Sequence, residues 1–391
     1  MKLIFAADFG INSISEEYDN TLVSPGLDEP KKAMSDADFR MLNLEKLFYF
    51  GDEPIPKSGP NIGMKTEYIS ALRHLNIDAV GLANNHTGDF GEGGVLHNLS
   101  YLKENGILYA GAGRNIDEAY QPLVVEREGE CASVITVCEN EFGMATKTKA
   151  GAAGFDLYRM VKLIKDEKAK GRVVIVNFHG GNEENPFPSP KKRGLYRSFI
   201  ECGADAVIAM HTHCPQGYEY YLCKPIVYSM SNFFFVYQNP QGLRANPDAA
   251  FYYGYMSELC IKDGNVSFKP IPYKFSPRGM SILEGRDKKL FENYLEKISE
   301  PIKIDEEIEA YFRGWSLITG PIYANFLKFD RNNIPDKEQL RHIKNDLSCE
   351  AHNELIESYI RMLFDGITEE DNRRKAEIES MYTIDLEKYD Y

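Results

Sequence analysis

Side chains of the types that bind metal ions recur after short apolar runs in the first part of the chain. In chain order they are Asp8, Asn43, Glu45, Asn84, Asn85, His86, His179, His211 and His213. Imidazole suits zinc and iron, whereas carboxylate and amide oxygens suit manganese and magnesium. The mixed set therefore fits a divalent transition metal such as Mn, Fe or Zn. A bridging carboxylate would allow two ions about 3.5–4 Å apart, the arrangement used for phosphoester hydrolysis.

The elements that must position these side chains alternate between strands and helices. The sequence predicts strands over Lys2–Ala7, Phe39–Leu44, Asp78–Ala83, Arg172–Phe178 and Asp205–Met210. It predicts helices over Thr66–Leu75, Gly93–Glu104, Asp156–Ala169 and Lys191–Cys202. Each group of polar residues lies at the carboxyl end of a predicted strand. Because loops converge at the carboxyl ends of strands in α/β sheets, we expect one shared site there.

The later part of the chain predicts a different arrangement. Strand-like runs at Gly217–Leu222, Pro225–Met230 and Phe251–Ile261 follow one another without helices, which favours antiparallel additions to the sheets. The simplest architecture is two packed mixed sheets with helices outside. Beyond Ser281 charged residues become dense and helical periodicity dominates, so we predict a main domain over 1–281 and a helical region over 282–391. We expect the charged segment Glu369–Lys375 to be a solvated face or a frayed tail.

Taken singly, none of these residues identifies a metal site. Asp8 alone could be a turn residue, and the Asn84–His86 segment could form an Asx turn. His211 and His213 are stronger, because alternate residues leaving a strand can point to one face. His342 and His352 lie in helical patterns, for which surface or packing roles are favoured. Only the coincidence of five strand ends favours a shared metal site.

Composition and charge exclude several functions. The chain has 391 residues and a formal net charge of −14, which argues against general nucleic-acid binding and against an anionic membrane surface. No apolar run is long enough to cross a bilayer. The seven cysteines include no Cys-x-x-Cys pair, so neither a disulfide framework nor a zinc ribbon is indicated. We therefore expect a cytoplasmic location, which a lost amino-terminal leader would overturn.

Several of these segments resemble one known family. Gly81–Gly91 is similar to the Ala-Asn-Asn-His-x-x-Asp-x-Gly signature of the CapA family, which is named for poly-γ-glutamate capsule synthesis. Asn43-Leu44-Glu45 resembles its Asn-Leu-Glu element, and Gly203–His213 its Gly-Ala-Asp-x-Val-Ile…His-x-His block. Tyr228–Phe233 resembles its Tyr-Ser-x-Gly-Asn-Phe block. The matching segments span residues 1 to about 275 in the expected order.

The resemblance implies the fold and metal site of calcineurin-like metallophosphoesterases. The fold would be a four-layer α/β/β/α sandwich with a helical C-terminal region. Glu45 would bridge two ions, Asn85, His179 and His211 would hold one, and Asp8 with His213 would hold the other. His86 would protonate the leaving group, a role that suits imidazole. Gly10 replaces a histidine ligand of the superfamily, so we expect one sound ion site and a weaker second one.

Two functions remain open from the sequence. The first is a metal-dependent hydrolase of a phosphoester or a γ-glutamyl amide, using a metal-bound water as nucleophile. The second is a non-catalytic accessory protein that binds an anionic polymer or its carrier during capsule or polysaccharide assembly. Lys191 and Arg193 beside His179, together with Asn232, are candidate substrate-binding residues. The sequence identifies neither the substrate nor the oligomeric state.

Overall fold

The first sheet contains the predicted strands nearest the amino terminus and the last strands of the chain. A computed structural model describes residues 1–11, 25–237, 240–328, 332 and 334–390. In sheet order the strands are β18 (Gly279–Ile282), β17 (Asn265–Ser276), β16 (Tyr253–Lys262), β1 (Lys2–Ile11), β2 (Phe39–Leu44), β5 (Ala79–Gly81) and β6 (Leu108–Ala110). β15 (Asn232–Val236) pairs with the far end of β1. The sheet is parallel from β1 to β6 and antiparallel from β1 to β18.

The second sheet has six strands and is also mixed. Its order is β13 (Tyr218–Tyr221), β14 (Lys224–Val227), β12 (Ala206–Met210), β11 (Val173–His179), β9 (Glu130–Cys138) and β8 (Leu123–Arg127). β8 and β9 form the predicted hairpin, in which Glu128 and Gly129 adopt positive φ angles of 51° and 82°. Two short pairs complete the strands: β3 (Leu47–Phe48) with β4 (Gly63–Met64), and β7 (Ala112–Gly113) with β10 (Gly151–Ala152).

Helices flank the sheets and form the C-terminal region. They are α1 (Asp28–Ala33), α2 (Ile69–His74), α3 (Gly91–Glu104), α4 (Ile116–Ala119), α5 (Leu157–Ala169), α6 (Pro190–Glu201), α7 (Gly285–Ser299), α8 (Asp305–Phe326), α9 (Lys337–Ser348), α10 (Glu350–Asp365) and α11 (Glu369–Ser380). Asp156 caps α5, and Ser189 caps α6 ahead of Pro190. No helix of the described residues is long and apolar enough to cross a membrane.

The two sheets pack face to face, which confirms the predicted α/β sandwich. β1 contacts β12, and β14 contacts β17, while α5 and α6 cover the outer side of the second sheet. A side chain added at Gly81 of the first sheet would meet Asn177 and Thr136 of the second. The shared interior is one continuous apolar core that extends under the C-terminal helices. The division of the chain at residue 281 stays a prediction.

Three sequence expectations need correction. β1 does not end before Asp8 but continues to Ile11, with a register irregularity at Asp8. β15 is a further strand that the sequence did not indicate, because its buried apolar run follows a loop without a turn signal. For Glu369–Lys375 the frayed-tail alternative is wrong, whereas the solvated face is right for most of the segment, which is exposed or half-buried apart from Asp371 and Arg374. The segment begins α11, where a capping box at Thr368 and ion pairs from Asp371 and Arg374 hold the helix against α8.

Candidate metal centre

Six of the predicted metal-binding residues come together between the two sheets. We refer to the candidate site formed by Asp8, Glu45, Asn85, His179, His211 and His213 as the metal centre. Ligand atoms of Glu45, His179 and His211 lie within 4.8 Å of one another, and so do those of Asp8, Glu45 and His213. The Asn85 amide joins the first group, since its Oδ1 lies 3.1 Å from His179 Nε2. The two groups share Glu45 and coincide with the ligand sets that the resemblance implies.

Glu45 lies at the junction of the two groups and has an unusual environment. Its residue is 0% exposed, yet neither carboxylate oxygen accepts a hydrogen bond from any described residue. The nearest cationic candidates are His213 Nε2 at 3.7 Å and His86 Nε2 at 3.9 Å. A buried carboxylate without donors is strongly disfavoured unless a cation compensates it. The residues present therefore fit a metal ion at Glu45.

Neighbouring polar groups hold the other ligands in place. The Asn43 amide donates to Asp8 Oδ1 at 2.7 Å and lies 3.2 Å from His179 Nδ1. The backbone N–H of His211 donates to Asp8 Oδ2 at 3.0 Å. Such contacts fix the orientation of ligating side chains and are a regular feature of metal sites. The Nδ1 atom of His211 is buried and has no partner among the described residues, which leaves it available to an ion.

The protonation of these groups also fits a metal ion. Burial lowers the pKa of His179 to about 3 and that of His213 to about 4, and burial together with His179 lowers the pKa of His211. The imidazoles are therefore neutral at neutral pH, the form that binds metals. Burial raises the pKa of Asp8, and burial with the charge of Asp8 raises the pKa of Glu45 well above its usual range. A cation would offset both carboxylate charges.

The backbone around the two final histidines is strained. His211 has a φ of 109° and His213 a φ of 54°, values that non-glycine residues rarely adopt. Each such residue costs about 1–3 kcal/mol and persists where the surroundings fix it. Here the segment leaves β12, turns sharply, and brings both imidazoles to the same edge of the sheet. The alternation of His211 and His213 therefore reflects a turn and not a continuing strand.

His86 lies at the rim of the metal centre in a polar triad with Asp89 and Lys57. Its Nδ1 lies 2.8 Å from Asp89 Oδ2 and 3.2 Å from Lys57 Nζ. Lys57 also forms a buried ion pair with Asp89. Asp89 Oδ2 accepts a further hydrogen bond from the backbone of Ile62, which fixes the carboxylate. Burial and the charge of Lys57 lower the pKa of His86.

A cavity of about 390 Å³ opens on the metal centre. Asn85, His86 and His211 line one side of it. The C-terminal helices line the other side with aromatic, aliphatic and polar residues: Trp315, Thr319, Ile322, Tyr323, Phe326, His342, Asn345, Asp346, His352 and Leu355. The rings of Phe326 and His342 are stacked, with centroids 4.3 Å apart. The helical region therefore forms part of the wall around any molecule that reaches the metal centre.

Residues 7–237 match the model of one family, the bacterial capsule synthesis protein PGA_cap. This match covers more than half of the chain. The chain belongs to the PGA_cap family. Every residue of the metal centre lies inside the matched range, whereas the helices that line the far side of the cavity lie outside it.

Two curated Bacillus proteins are similar to this PGA_cap chain. The capsule biosynthesis protein CapA of Bacillus anthracis is 27% identical over 61% of this chain and 58% of its own length. The PGA biosynthesis protein CapA of Bacillus subtilis is 25% identical over 53% of each chain. The chain thus spans between half and three fifths of the length of these relatives. A solved 5'-nucleotidase precursor from Thermus thermophilus is 13% identical over 71% of this chain and 55% of its own, with a TM-score of 0.41.

Two departures from the motifs described above have a structural counterpart in this PGA_cap chain. A Cβ atom at Gly10 would lie 2.5 Å from Cγ of Lys46, so a histidine there would require Lys46 to move. The buried Lys46 ammonium instead lies over the rings of Phe235 and Tyr237, at 4.4 Å and 4.1 Å from their centroids. The group of Asp8, Glu45 and His213 therefore gains no ligand from position 10. Ser231, where the motif has glycine, has a φ of 72°, the conformation that glycine adopts without strain.

The predicted substrate-binding residues have other partners. Lys191 pairs with Glu357 of α10, and Arg193 pairs with Asp305 and donates to the carbonyl of Ile302. Neither Lys191 nor Arg193 is among the residues that line the cavity. Their substrate-binding role stays a prediction that this arrangement does not favour, because both charges are used to attach the C-terminal helices.

Asn232 lies beside the metal centre, but its side chain contacts His213, a predicted metal ligand. Its Oδ1 lies 2.7 Å from His213 Nδ1, and its Nδ2 donates to the carbonyl of Phe251 at 3.1 Å. This contact orients His213. The sequence analysis did not identify Lys57, because it belongs to no periodic element. It also did not identify the cavity residues of α8–α10, because no local pattern relates them to histidines more than a hundred positions earlier.

Proposed function

We propose that the chain is a metal-dependent hydrolase that acts on a phosphoester or a γ-glutamyl amide during synthesis of a capsular polymer. The observation that carries this proposal is Glu45, a fully buried carboxylate without hydrogen-bond donors among the described residues, between two groups of metal-binding side chains. Mn, Fe or Zn fits the donor set of carboxylate, amide and imidazole. A bound ion supplies Lewis-acid polarisation of the scissile bond and lowers the pKa of water.

His86 is the proton-transfer group in this proposal. Its Nδ1 lies closer to Asp89 Oδ2, at 2.8 Å, than to Lys57 Nζ, at 3.2 Å, which favours a neutral His86 with its proton on Nδ1 and an unprotonated Nε2 toward Glu45. Protonation of a leaving group requires the doubly protonated form, which the lowered pKa disfavours in the free protein. An anionic substrate in the cavity would raise this pKa by its charge. The role of His86 as an acid thus depends on a substrate that carries negative charge.

The acidic lining of the cavity also bears on the substrate. Glu141, Glu183 and Asp346 line it, and Lys57, which lines it too, is paired with Asp89. An anionic polymer or phosphoester would be repelled by these carboxylates unless metal ions supply positive charge. This favours a reaction at the metal centre over simple electrostatic binding of the polymer. A cytoplasmic location stays a prediction.

The second candidate is a non-catalytic accessory protein that binds an anionic polymer or carrier. The observation in its favour is Gly10, which leaves the group around Asp8 with three ligating residues and no fourth from β1. A curated Mycobacterium tuberculosis relative, 24% identical over 67% of this chain, is named as a probable polyglutamine synthesis accessory protein. In this case the ion would hold a ligand and no bond would be broken.

The test is hydrolysis by the metal-loaded chain. Purified protein, freed of metal and reloaded with Mn²⁺, Zn²⁺ or Fe²⁺, is assayed on phosphomonoesters, phosphodiesters and γ-glutamyl peptides. We expect activity in the parent, and losses of about 10²–10⁴-fold in a His86→Ala variant, the range for general acid–base groups. Glu219→Gln, a buried carboxylate paired with Arg197 away from the cavity, is the matched control and should retain activity.

Two outcomes would decide against hydrolysis. A chain that binds metal at Glu45 but turns over none of these substrates, while it binds polyglutamate in a metal-dependent way, would support the accessory function. A chain that binds no metal after reconstitution would remove the basis of both proposals.

A further inference from the structure

A second group of metal-binding side chains lies where the C-terminal helices meet the loop after β9. Glu141 belongs to that loop, Cys349 is the cap residue of α10, and His352 lies in its first turn. One ligand atom from each of the three lies within 4.8 Å of the others. The group shares no residue with the metal centre. It unites chain positions about two hundred residues apart, so no local motif indicates it.

Asn345 occupies the space between two of these ligands. Its Nδ2 lies 3.3 Å from Glu141 Oε2 and 3.3 Å from His352 Nδ1. Its Oδ1 is buried and has no hydrogen-bond partner among the described residues, although Asn345 is only 8% exposed. The two ends of an amide have nearly the same shape, so a half-turn of the side chain exchanges them. The exchanged Oδ1 would face the Glu141 carboxylate oxygen, an arrangement that a cation between the two oxygens would stabilise.

Asp346, the next residue of α9, has a second unsatisfied buried oxygen. It is 3% exposed, and its Oδ2 has no hydrogen-bond partner within the described part of the chain. Asn345, Asp346, Glu141 and His352 all line the cavity described above. A buried oxygen that accepts no hydrogen bond is unfavourable, and more so when it carries charge. Two such oxygens on neighbouring residues of α9, in the wall of the cavity that Glu141 and His352 also line, favour a bound cation.

We propose that Glu141, Asn345, Cys349 and His352 bind a divalent ion of the zinc class. Thiolate, imidazole and carboxylate are the ligands that Zn²⁺ takes in four-coordinate sites. The thiolate is the ligand, so binding breaks the S–H bond of Cys349 and releases its proton to solvent. The metal centre contains no sulfur ligand among its six residues, and this site is therefore the softer of the two.

The ion would attach the helices of the cavity wall to the main sheets. Glu350 of α10 already accepts hydrogen bonds from the backbone and side chain of Asn140, at 3.0 Å and 2.7 Å. An ion held by Glu141, the next residue of that loop, and by residues of α9 and α10 would fix the same junction between the loop and the helices. This inference is independent of whether the chain hydrolyses any substrate.

Cobalt spectroscopy of the full chain tests the site. Metal-free protein is titrated with CoCl₂, because cobalt bound to thiolate gives a charge-transfer band that oxygen and nitrogen ligands do not. We expect the band in the parent, with a final intensity that corresponds to one thiolate-bound cobalt ion per chain once all sites are filled, and its loss in Cys349→Ser. Cys214→Ser is the matched control: Cys214 is also buried, lies beside His213 and should leave the band unchanged. Glu45→Gln should leave it unchanged too.

A milder variant guards against misfolding of Cys349→Ser. His352→Gln keeps a polar side chain on the surface of α10 and should weaken cobalt binding by at least the roughly 10–100-fold seen when even outer-shell partners of a metal are removed. The proposal is overturned if the parent gives no thiolate band, if the band survives in Cys349→Ser, or if His352→Gln binds cobalt as tightly as the parent.

Discussion

Replacing Glu45 with glutamine should leave the metal-free protein at least as stable as the parent but abolish most of its stabilisation by metal. The carboxylate is buried and receives no hydrogen bond from the described residues, so none is lost. Burial and Asp8 raise the pKa of Glu45 well above its usual range. A carboxyl group whose pKa is raised in the folded state binds its proton more readily there than in the unfolded chain. The free energy of unfolding therefore falls as the pH rises from the unfolded-state pKa of this group to its folded-state pKa. Glutamine carries no charge, so the variant does not suffer this loss of stability at neutral pH.

The expected size of the metal effect follows from linkage. An ion at a free concentration about 1,000 times its Kd stabilises the folded state by about 4.1 kcal/mol. For 391 residues the entropy of unfolding is roughly 0.8 kcal/mol per kelvin, so Tm should rise by about 5 °C in the parent. Loss of the carboxylate that joins both ligand groups should reduce this rise to less than about 1 °C.

Thermal unfolding followed by circular dichroism, with chelator and then with Mn²⁺ or Zn²⁺, measures both quantities. Glu219→Gln is the control, for which we expect the opposite result in both conditions. Glu219 pairs with Arg197 and accepts the hydroxyl of Tyr228, so its variant should lose about 1–3 kcal/mol without metal and keep the metal-induced rise. Our reasoning is refuted if Glu45→Gln is clearly less stable than the parent in chelator, or if metal raises its Tm as much as it raises that of the parent.

Three further predictions concern proton release, helix docking and backbone strain. Metal binding should release protons, and more of them as the pH is lowered from neutral, because the pKa values of Asp8 and Glu45 are raised. Calorimetry in buffers of different ionisation enthalpy counts these protons, and Glu45→Gln should release fewer. Asp371→Ala should lower the free energy of unfolding in urea by about 2–3 kcal/mol, because it removes a capping contact and a bidentate bond from Arg313. Ser231→Gly should raise it by about 1 kcal/mol, because Ser231 has a φ of 72° and a buried hydroxyl without a partner among the described residues.

Matched variants separate these effects from general damage. Glu370→Ala, one residue before Asp371, removes an exposed ion pair with Arg373 and one of the three ion pairs of Arg374. Because Arg374 keeps its other two carboxylate partners, the variant should cost less than about 1 kcal/mol. Ser257→Gly, in the interior of β16, should destabilise where Ser231→Gly stabilises. Equal losses for the two acidic variants, or a loss for Ser231→Gly, would contradict the assigned contacts. Metal binding without proton release would contradict the raised carboxyl pKa values.

Local sequence determined most of the longer strands, several helices and the residues at the strand ends. β2 was predicted over the range the structure has, and α5 and β12 to within one residue, because periodicity and capping are local properties. The rule that ligands gather at the carboxyl ends of strands predicted from the sequence that Asp8, Glu45 and the histidines lie close together. The same rule could not show that β1 continues past Asp8, because a strand irregularity depends on pairing with β2 and β15.

Tertiary structure alone decided what surrounds the metal centre. Lys191 and Arg193 follow His179 in sequence, yet ion pairs with α8 and α10 draw their charges away from the cavity. Three further features arise from residues far apart in the chain. No described residue donates a hydrogen bond to the Glu45 carboxylate, and Lys46 fills the space beside Gly10. Cys349 and His352 approach Glu141. Periodicity reports which face of an element is buried, whereas the partner on that face is set by how the elements pack.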